Sequence, residues 1–329
     1  MIVAITGASA GVGRAVAREF AARKWDVAVI ARNAARLEAT VAELRQYGVR
    51  ATAVVADVAD FAAVNAAAQE IDETFGTIDV WINNAMATIF APVTKITPEE
   101  FKRSTEVTYL GQVYGTMAAL PLMRLRNRGT VVNIGSALAY RAIPLQSAYC
   151  GAKYAVRGFT DALRSELIHD RSAIGLVMVH LPAVNTPQFD WALNKTGRRA
   201  QPVPPIFQPE VAARAIFFAA THPERREIWV GASTVRAIIA NKLAPGLLDR
   251  YLAHAGYRGQ LTDEAQPQDA PANLFATVDA DVAAHGRFDQ AATNRSGEMA
   301  ISAHRTLATI LMTGLVAFGL ATWCARRRF

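Results

Sequence analysis

An α/β fold, a parallel sheet covered by helices on both faces, is predicted by two features of this 329-residue sequence. Short runs rich in β-branched residues recur at 2–6, 27–31, 51–56, 80–82, 130–134, 176–181 and 228–230, with longer amphipathic stretches between them. That alternation is what crossovers between parallel strands require. The second feature is Thr6-Gly7-Ala8-Ser9-Ala10-Gly11-Val12-Gly13, which places glycines between the first strand and the helix behind it.

In chain order, the first strand empties into this turn, where missing side chains let the backbone approach a pyrophosphate at the N-terminus of the next helix. Helical patterns follow at 12–24, 34–47, 60–75, 98–126, 147–169 and 208–221. The second strand ends in Val29-Ile30-Ala31-Arg32-Asn33, with a cation where an acid would serve ribose hydroxyls. Thr97-Pro98-Glu99-Glu100 is a helix start, with Thr as N-cap, Pro first and Glu third. The fifth strand runs into Gly135 and Ser136, at the strand end where parallel sheets hold ligands. Tyr149 and Lys153, four apart, share a helix face. A neighbouring ammonium favours the phenolate, so the tyrosine is expected to have a lowered pKa and to act as an acid or base. Residues 182–209 are Pro-rich and carry Phe189, Trp191, Lys195, Arg198 and Arg199. After Ala232 the sheet pattern stops, and residues 262–298 read as a flexible linker without periodicity.

Ser136, Tyr149-x-x-x-Lys153 and Thr6-Gly7-x-x-x-Gly11-x-Gly13, in order over residues 1–240, resemble the short-chain dehydrogenase/reductase family, of the compact single-domain type. The resemblance implies a Rossmann-type doubly wound sheet, a nicotinamide cofactor, and hydride transfer to or from a carbonyl carbon. It implies that Ser136 polarises the substrate oxygen, that Tyr149 exchanges the proton, and that Lys153 also holds the nicotinamide ribose. Gly7, Ser9, Gly11, Val12 and Gly13 would hold the pyrophosphate, Asp57 and Val58 the adenine, and Pro182, Val184 and Thr186 the nicotinamide amide, with Ala183 where the family has glycine. Asn83-Asn84-Ala85-Met86 matches a segment that supports the sheet and packs beside the cofactor, Met86 replacing a glycine. Thr108 stands where most relatives have an asparagine in a helix kink that orders a water on the proton path; its hydroxyl is expected to bond back to a helical carbonyl. Arg32 points to NADP over NAD.

The net charge of +7 is scattered over helices apart from Arg326-Arg327-Arg328, which argues against nucleic acid as a partner. Cys150 and Cys324 supply neither a disulfide framework nor a metal site, and suit a reducing cytosol. The first strand begins at Ile2, leaving no room for a cleaved signal, so a cytoplasmic catalytic domain is expected. Residues 307–325 lack charge, and at about 1.5 Å per helical residue nearly span a hydrocarbon core of about 30 Å. Followed by three arginines, they predict a membrane helix, although those arginines and the catalytic domain both favour the cytosolic side. A homo-oligomer is also expected. The combined reading is a membrane-anchored, NADP-dependent oxidoreductase of small-molecule carbonyls or alcohols, with a lipophilic substrate. The alternative is a non-catalytic NADP-binding sensor or scaffold, motivated by Thr108 and Met86 and opposed by the intact Ser136, Tyr149 and Lys153.

Overall fold

The computed structural model describes residues 1–279 and 283–298. Seven strands form one sheet: β1 (Ile2–Thr6), β2 (Asp26–Ala31), β3 (Ala51–Val55), β4 (Val80–Asn83), β5 (Thr130–Ser136), β6 (Gly175–Leu181) and β7 (Glu227–Trp229). Their order is β7-β6-β5-β4-β1-β2-β3, every pair parallel. The sheet order reverses at β1, flanked by β2 and β4, and a crevice opens beyond the carboxyl ends there.

The strands are mostly apolar because both faces are covered, with buried polar residues such as Asn83, Asn133 and His180 at positions where partners meet them. Along β1, Val3 and Ile5 enter one core with Phe20, Leu37, Val179 and Ile216, whereas Ile2 and Ala4 enter the opposite core with Ile71, Trp81, Met123 and Leu163. The first core is closed by α1 (Gly11–Ala22), α2 (Ala34–Arg45) and, later in the chain, the helix Pro209–Thr221. The second is closed by α3 (Phe61–Phe75) and by the helices 111–124 and 147–169. Each large aliphatic side chain buried this way contributes about 1.5–3 kcal/mol.

The helix expected over 98–126 is divided. It begins as α4 (Pro98–Thr105), where Glu100 N donates to Thr97 Oγ1 at 3.3 Å and Thr97 N donates to Glu100 Oε2 at 2.8 Å, a complete capping box. A π turn over Glu106–Leu110 then offsets it before α5 (Gly111–Arg124). Next come α6 (Ser147–His169), the short α7 (Gln188–Trp191) and α8 (Pro209–Thr221).

Beyond β7 the chain forms α9 (Ala232–Leu243) and α10 (Pro245–Gln260). Leu261–Ala265 pairs antiparallel with Arg198–Ala200, and Ala292–Thr293 pairs parallel with Ile206–Phe207. Where the sequence suggests a linker, the described residues pack on the catalytic sheet: Leu274 is only 1% exposed, within the second core. The contacts that dock this strap are largely with main-chain atoms, which leave no periodic pattern. Among the described residues no helix is long and apolar enough to cross a membrane, and residues 307–325 lie outside them.

Candidate active site

The turn after β1 has its shape because its glycines are required. Gly7 has φ +68°, and a Cβ on it would lie 2.8 Å from Ala85 Cα. On Gly13 a Cβ would lie 2.3 Å from Gly7 O, so this glycine seats α1 against the turn and does not face the crevice. Gly7, Ser9, Gly11 and Val12 do line it, with Arg32, Asp57, Val58, Asn84, Ala85, Met86, Ser136, Tyr149, Lys153, Pro182, Val184 and Thr186. Asn84 fixes the floor by donating from Nδ2 to Thr6 O at 3.0 Å. Beneath it runs a buried polar ladder that joins β4, β5 and α6: Asn83 Nδ2 donates to Asn133 Oδ1 at 2.8 Å, and Asn133 Nδ2 to Thr160 Oγ1 at 2.9 Å.

Ser136, Tyr149 and Lys153 converge where β5 ends and α6 begins. The Lys153 Nζ lies 5.5 Å from the Tyr149 ring centroid and donates to Ile134 O at 2.6 Å. Burial pushes the Tyr149 phenol above its ordinary value of 10.0, although a hydrogen bond with Ser136 opposes this. Burial also brings the Lys153 ammonium down to about 7. The expected lowering of the phenol by the ammonium is therefore outweighed: desolvation dominates both groups and favours the neutral form of each.

Behind Ser136 stands a cluster that the sequence reading missed. The His180 ring contacts Ser136 O through Nδ1 at 3.1 Å and Glu227 Oε2 through Nε2 at 3.1 Å, while Tyr140 OH donates to the same carboxylate oxygen. Burial alone would raise the Glu227 carboxyl, but hydrogen bonds from His180 and Tyr140 hold it down at about 2. These groups sit on β6, β7 and the turn after β5, too far apart in sequence for spacing to reveal them.

Thr108 does not line the crevice. It is buried in the π turn, where Oγ1 accepts from Ala87 N at 2.9 Å and donates to Ala87 O at 2.8 Å. The expected bond back to a helical carbonyl is replaced by this clamp on the loop after β4, and the only hydroxyl proton is committed to it.

On the adenosine side, Asp57 pairs with Arg103. Burial would raise the Asp57 carboxyl, but this partner and the Ala59 N–H hold it below its ordinary value. Arg32 lines the crevice while donating to Asn273 O at 2.6 Å and Phe275 O at 2.8 Å. Arg103 Nε donates to Leu274 O at 3.0 Å, and Gly11 N donates to Ala283 O at 3.0 Å. The strap thus follows the outer rim of the crevice. At its far end His285 sits between Glu210, at 2.8 Å, and Asp289, at 2.6 Å.

Of the loop residues singled out in 182–209, Phe189 and Trp191 line the crevice. The cations do not: Lys195 pairs with Glu100, Arg198 with Asp263, and Arg199 with Asp190 and Glu264. Arg36, absent from the sequence reading, also lines the crevice. Its signal was its position one helical turn after Arg32.

A family model described as short chain dehydrogenase matches residues 1–196. The uncharacterized oxidoreductase YxnA of Bacillus subtilis is 33% identical over 99% of this chain and 90% of its own length. The 2-(R)-hydroxypropyl-CoM dehydrogenase of Xanthobacter autotrophicus is 36% identical over 65% of this chain and 86% of its own length. An alcohol dehydrogenase from the archaeon Thermococcus sibiricus, solved in complex with 5-hydroxy-NADP, superposes with a TM-score of 0.61 at 27% identity, covering 70% of this chain and 95% of that one. With a crevice at the switch point of its sheet, a family model over residues 1–196 and a relative matching nearly its whole length, the chain belongs to the short-chain dehydrogenase/reductase family, as an NAD(P)-dependent oxidoreductase acting on CH–OH groups.

Proposed function

We propose that this enzyme interconverts neutral, lipophilic carbonyl compounds and their secondary alcohols with NADP as cofactor. The observation that carries the reading is the distribution of charge around the crevice. Arg32, Arg36 and Asp57 hang from the β2 and β3 side, whereas the β5 and β6 side offers Leu138, Ile143, Pro182, Val184, Phe189 and Val203, with Lys153 as its charged residue. A charged substrate would be desolvated there with no counter-ion but Lys153, which already donates to Ile134 O, at a cost of several kcal/mol by ordinary transfer values of roughly 2–7 kcal/mol for even uncharged polar groups.

Whether the residues fit a dinucleotide is tested by the crevice itself: its glycine turn admits close backbone approach, α1 has no side-chain cap at Ala10, and two cations line the adenosine side. When bound, the cofactor supplies or accepts hydride. In the reducing direction, Ser136 donates a hydrogen bond to the carbonyl oxygen and Tyr149 delivers the proton to that atom. A raised phenol pKa keeps this proton in place until the oxygen becomes basic. Lys153, whose pKa of about 7 lets it exchange a proton near neutrality, supports the phenol from the next helical turn. Arg32, which follows β2 where an acid would favour NAD, supports NADP. We read 1–240 as the catalytic unit, 241–300 as its extension, and 307–325 as a membrane anchor that would bring lipophilic substrates close.

The test is NADPH consumption over aldehydes and ketones of increasing apolar size, beside carboxylate-bearing analogues. Rising kcat/KM with apolar size and little turnover of the charged analogues are expected. A preference for the charged analogues would overturn the proposal.

A further inference from the structure

We infer that the exposed side of α9 and α10 is a docking surface for an anionic phospholipid bilayer, which sets the substrate end of the crevice against the lipid. Delivery of substrate from that lipid rests on the lipophilic reading above; the docking itself stands without it.

Single apolar side chains in water are ordinary, but here they are gathered. Leu243, at the end of α9, is 80% exposed, and Leu247 and Tyr251, one turn apart on α10, are 68% and 65% exposed. Ile239, one turn before Leu243, is half exposed. Spacing of four places each pair on one side of its helix. The other side is already committed: Thr234 and Ile238 are buried on α9, and Gly256 and Gln260 on α10.

The charges among these residues have one sign. Arg236, Lys242, Arg250 and Arg258 are exposed, and among the described residues none of them pairs with a carboxylate. Asp249 is the only acid in 232–260, and its Oδ1 accepts from Arg141 Nη2 at 2.6 Å. Leucines beside a tyrosine and several cations match a bilayer interface, where apolar groups enter the boundary between headgroups and acyl chains while cations meet lipid phosphates. A second copy of the chain fits less well. A twofold contact would lay this surface on itself and bring unpaired cations together.

The same helices wall the substrate end of the crevice. Ser233 and Ala237 of α9 line it. Gly256 of α10 lies so close to Pro144 that a Cβ would be 2.7 Å from Pro144 Cδ, and Gln260 Nε2 donates to Pro144 O at 2.8 Å. The residue before Pro144, Ile143, lines the apolar wall. Arg141 also donates from Nη1 to Asn241 Oδ1 at 3.2 Å, which ties both helices to the turn after β5. The surface is therefore firmly placed, and an apolar carbonyl could pass from acyl chains to the crevice with little exposure to water.

Full-length Tyr251→Trp, one exposed aromatic exchanged for another, puts a fluorophore on this surface. Its emission above that of wild type would be read in vesicles with brominated acyl chains. In phosphatidylcholine with about one-third phosphatidylglycerol the added emission should be quenched, and quenching should fade in phosphatidylcholine alone or at high salt, which screens the cations. Each cation near an anionic surface is worth about fivefold, so Lys242→Gln with Arg250→Gln in that background should shift docking about 25-fold towards the free state, even in a chain held to the vesicle by its tail. Absent quenching, or quenching indifferent to lipid charge and to salt, overturns the inference. So does shielding of the fluorophore without vesicles that grows with protein concentration, which would make this surface a contact between copies. For delivery, kcat/KM on a ketone dissolved in the anionic vesicles should fall in Lys242→Gln/Arg250→Gln and stay unchanged on a water-soluble ketone; equal values for both proteins on the vesicle ketone overturn that part. Quenching without turnover of any apolar carbonyl leaves the docking intact and defeats the substrate reading, a separate failure.

Discussion

Replacing Lys153 by methionine should remove activity and raise stability. The ammonium is buried, and its pKa falls from 10.5 to about 7. Each unit of such a shift is worth about 1.4 kcal/mol. The sign follows from proton counting. Between the folded and unfolded values the unfolded chain holds the proton that the folded chain has lost, so wild-type stability rises with pH across this window. Methionine has no proton to bind, so the wild type should gain on Lys153→Met by up to about 1.4 kcal/mol per pH unit, or roughly 2 kcal/mol between pH 7 and pH 9. Tyr149, whose phenol burial raises above its ordinary value of 10.0, keeps its proton in both proteins over this range and adds little to the difference. The Ile134 carbonyl is not orphaned by the substitution, because it also accepts from Gln112 Nε2 at 3.0 Å. Urea unfolding of both proteins at several pH values is the assay. Lys153→Met should be the more stable at pH 7, with the advantage shrinking as pH rises. A constant difference across that range would refute the reasoning.

Thr108→Val leaves the Ala87 N–H without its buried acceptor and should cost about 1–3 kcal/mol of stability, with turnover of the folded enzyme little changed. Collapse of turnover without loss of stability would place the hydroxyl on the proton path. Arg32→Ala should weaken NADPH more than NADH, while both suffer from loosening of the strap that Arg32 holds through Asn273 O and Phe275 O; equal losses in titrations would show that it does not select between them. Burial opposes protonation of His285, but Glu210 and Asp289 raise its pKa above the ordinary value. Its contribution to docking the strap is therefore complete below the unfolded value of about 6.5 and lost as pH rises through the raised folded value. Protection factors of residues 283–289, the exchange rates taken relative to the intrinsic rate at each pH, should fall over that rise in the wild type and not in His285→Gln.

The legible part of this protein was whatever the sheet wrote into side chains. β1 alternates between two buried cores, so its run is apolar from Ile2 to Ile5, and the glycine turn after it admits no Cβ at Gly7 or Gly13. Tyr149 and Lys153 were legible because one helix carries both. The extension was not. In α9 only Thr234 and Ile238 are fully buried, and in α10 only Gly256 and Gln260, so no apolar stripe announces either helix. The strap beyond them docks through the carbonyls of Asn273, Leu274, Phe275 and Ala283, atoms that every residue possesses. The strap contacts of Arg32 are hidden for the same reason: its partners lie more than 240 positions away and are main-chain oxygens. The partner of the Thr108 hydroxyl was not legible because the fold brings a loop amide and carbonyl near it, in place of the carbonyl one turn back.

The central claim is that Tyr149 exchanges a proton with the substrate oxygen in a nicotinamide-dependent reaction. The most direct measurement is NADPH turnover of Tyr149→Phe against wild type on the best carbonyl substrate, with NADPH affinity determined in parallel. The ring and its packing are retained and only the phenolic hydroxyl is lost. Turnover should fall by about 10²–10⁴-fold, the range for loss of general acid–base catalysis, while NADPH affinity changes little. Turnover within a few fold of wild type, with the cofactor still bound, would contradict the account.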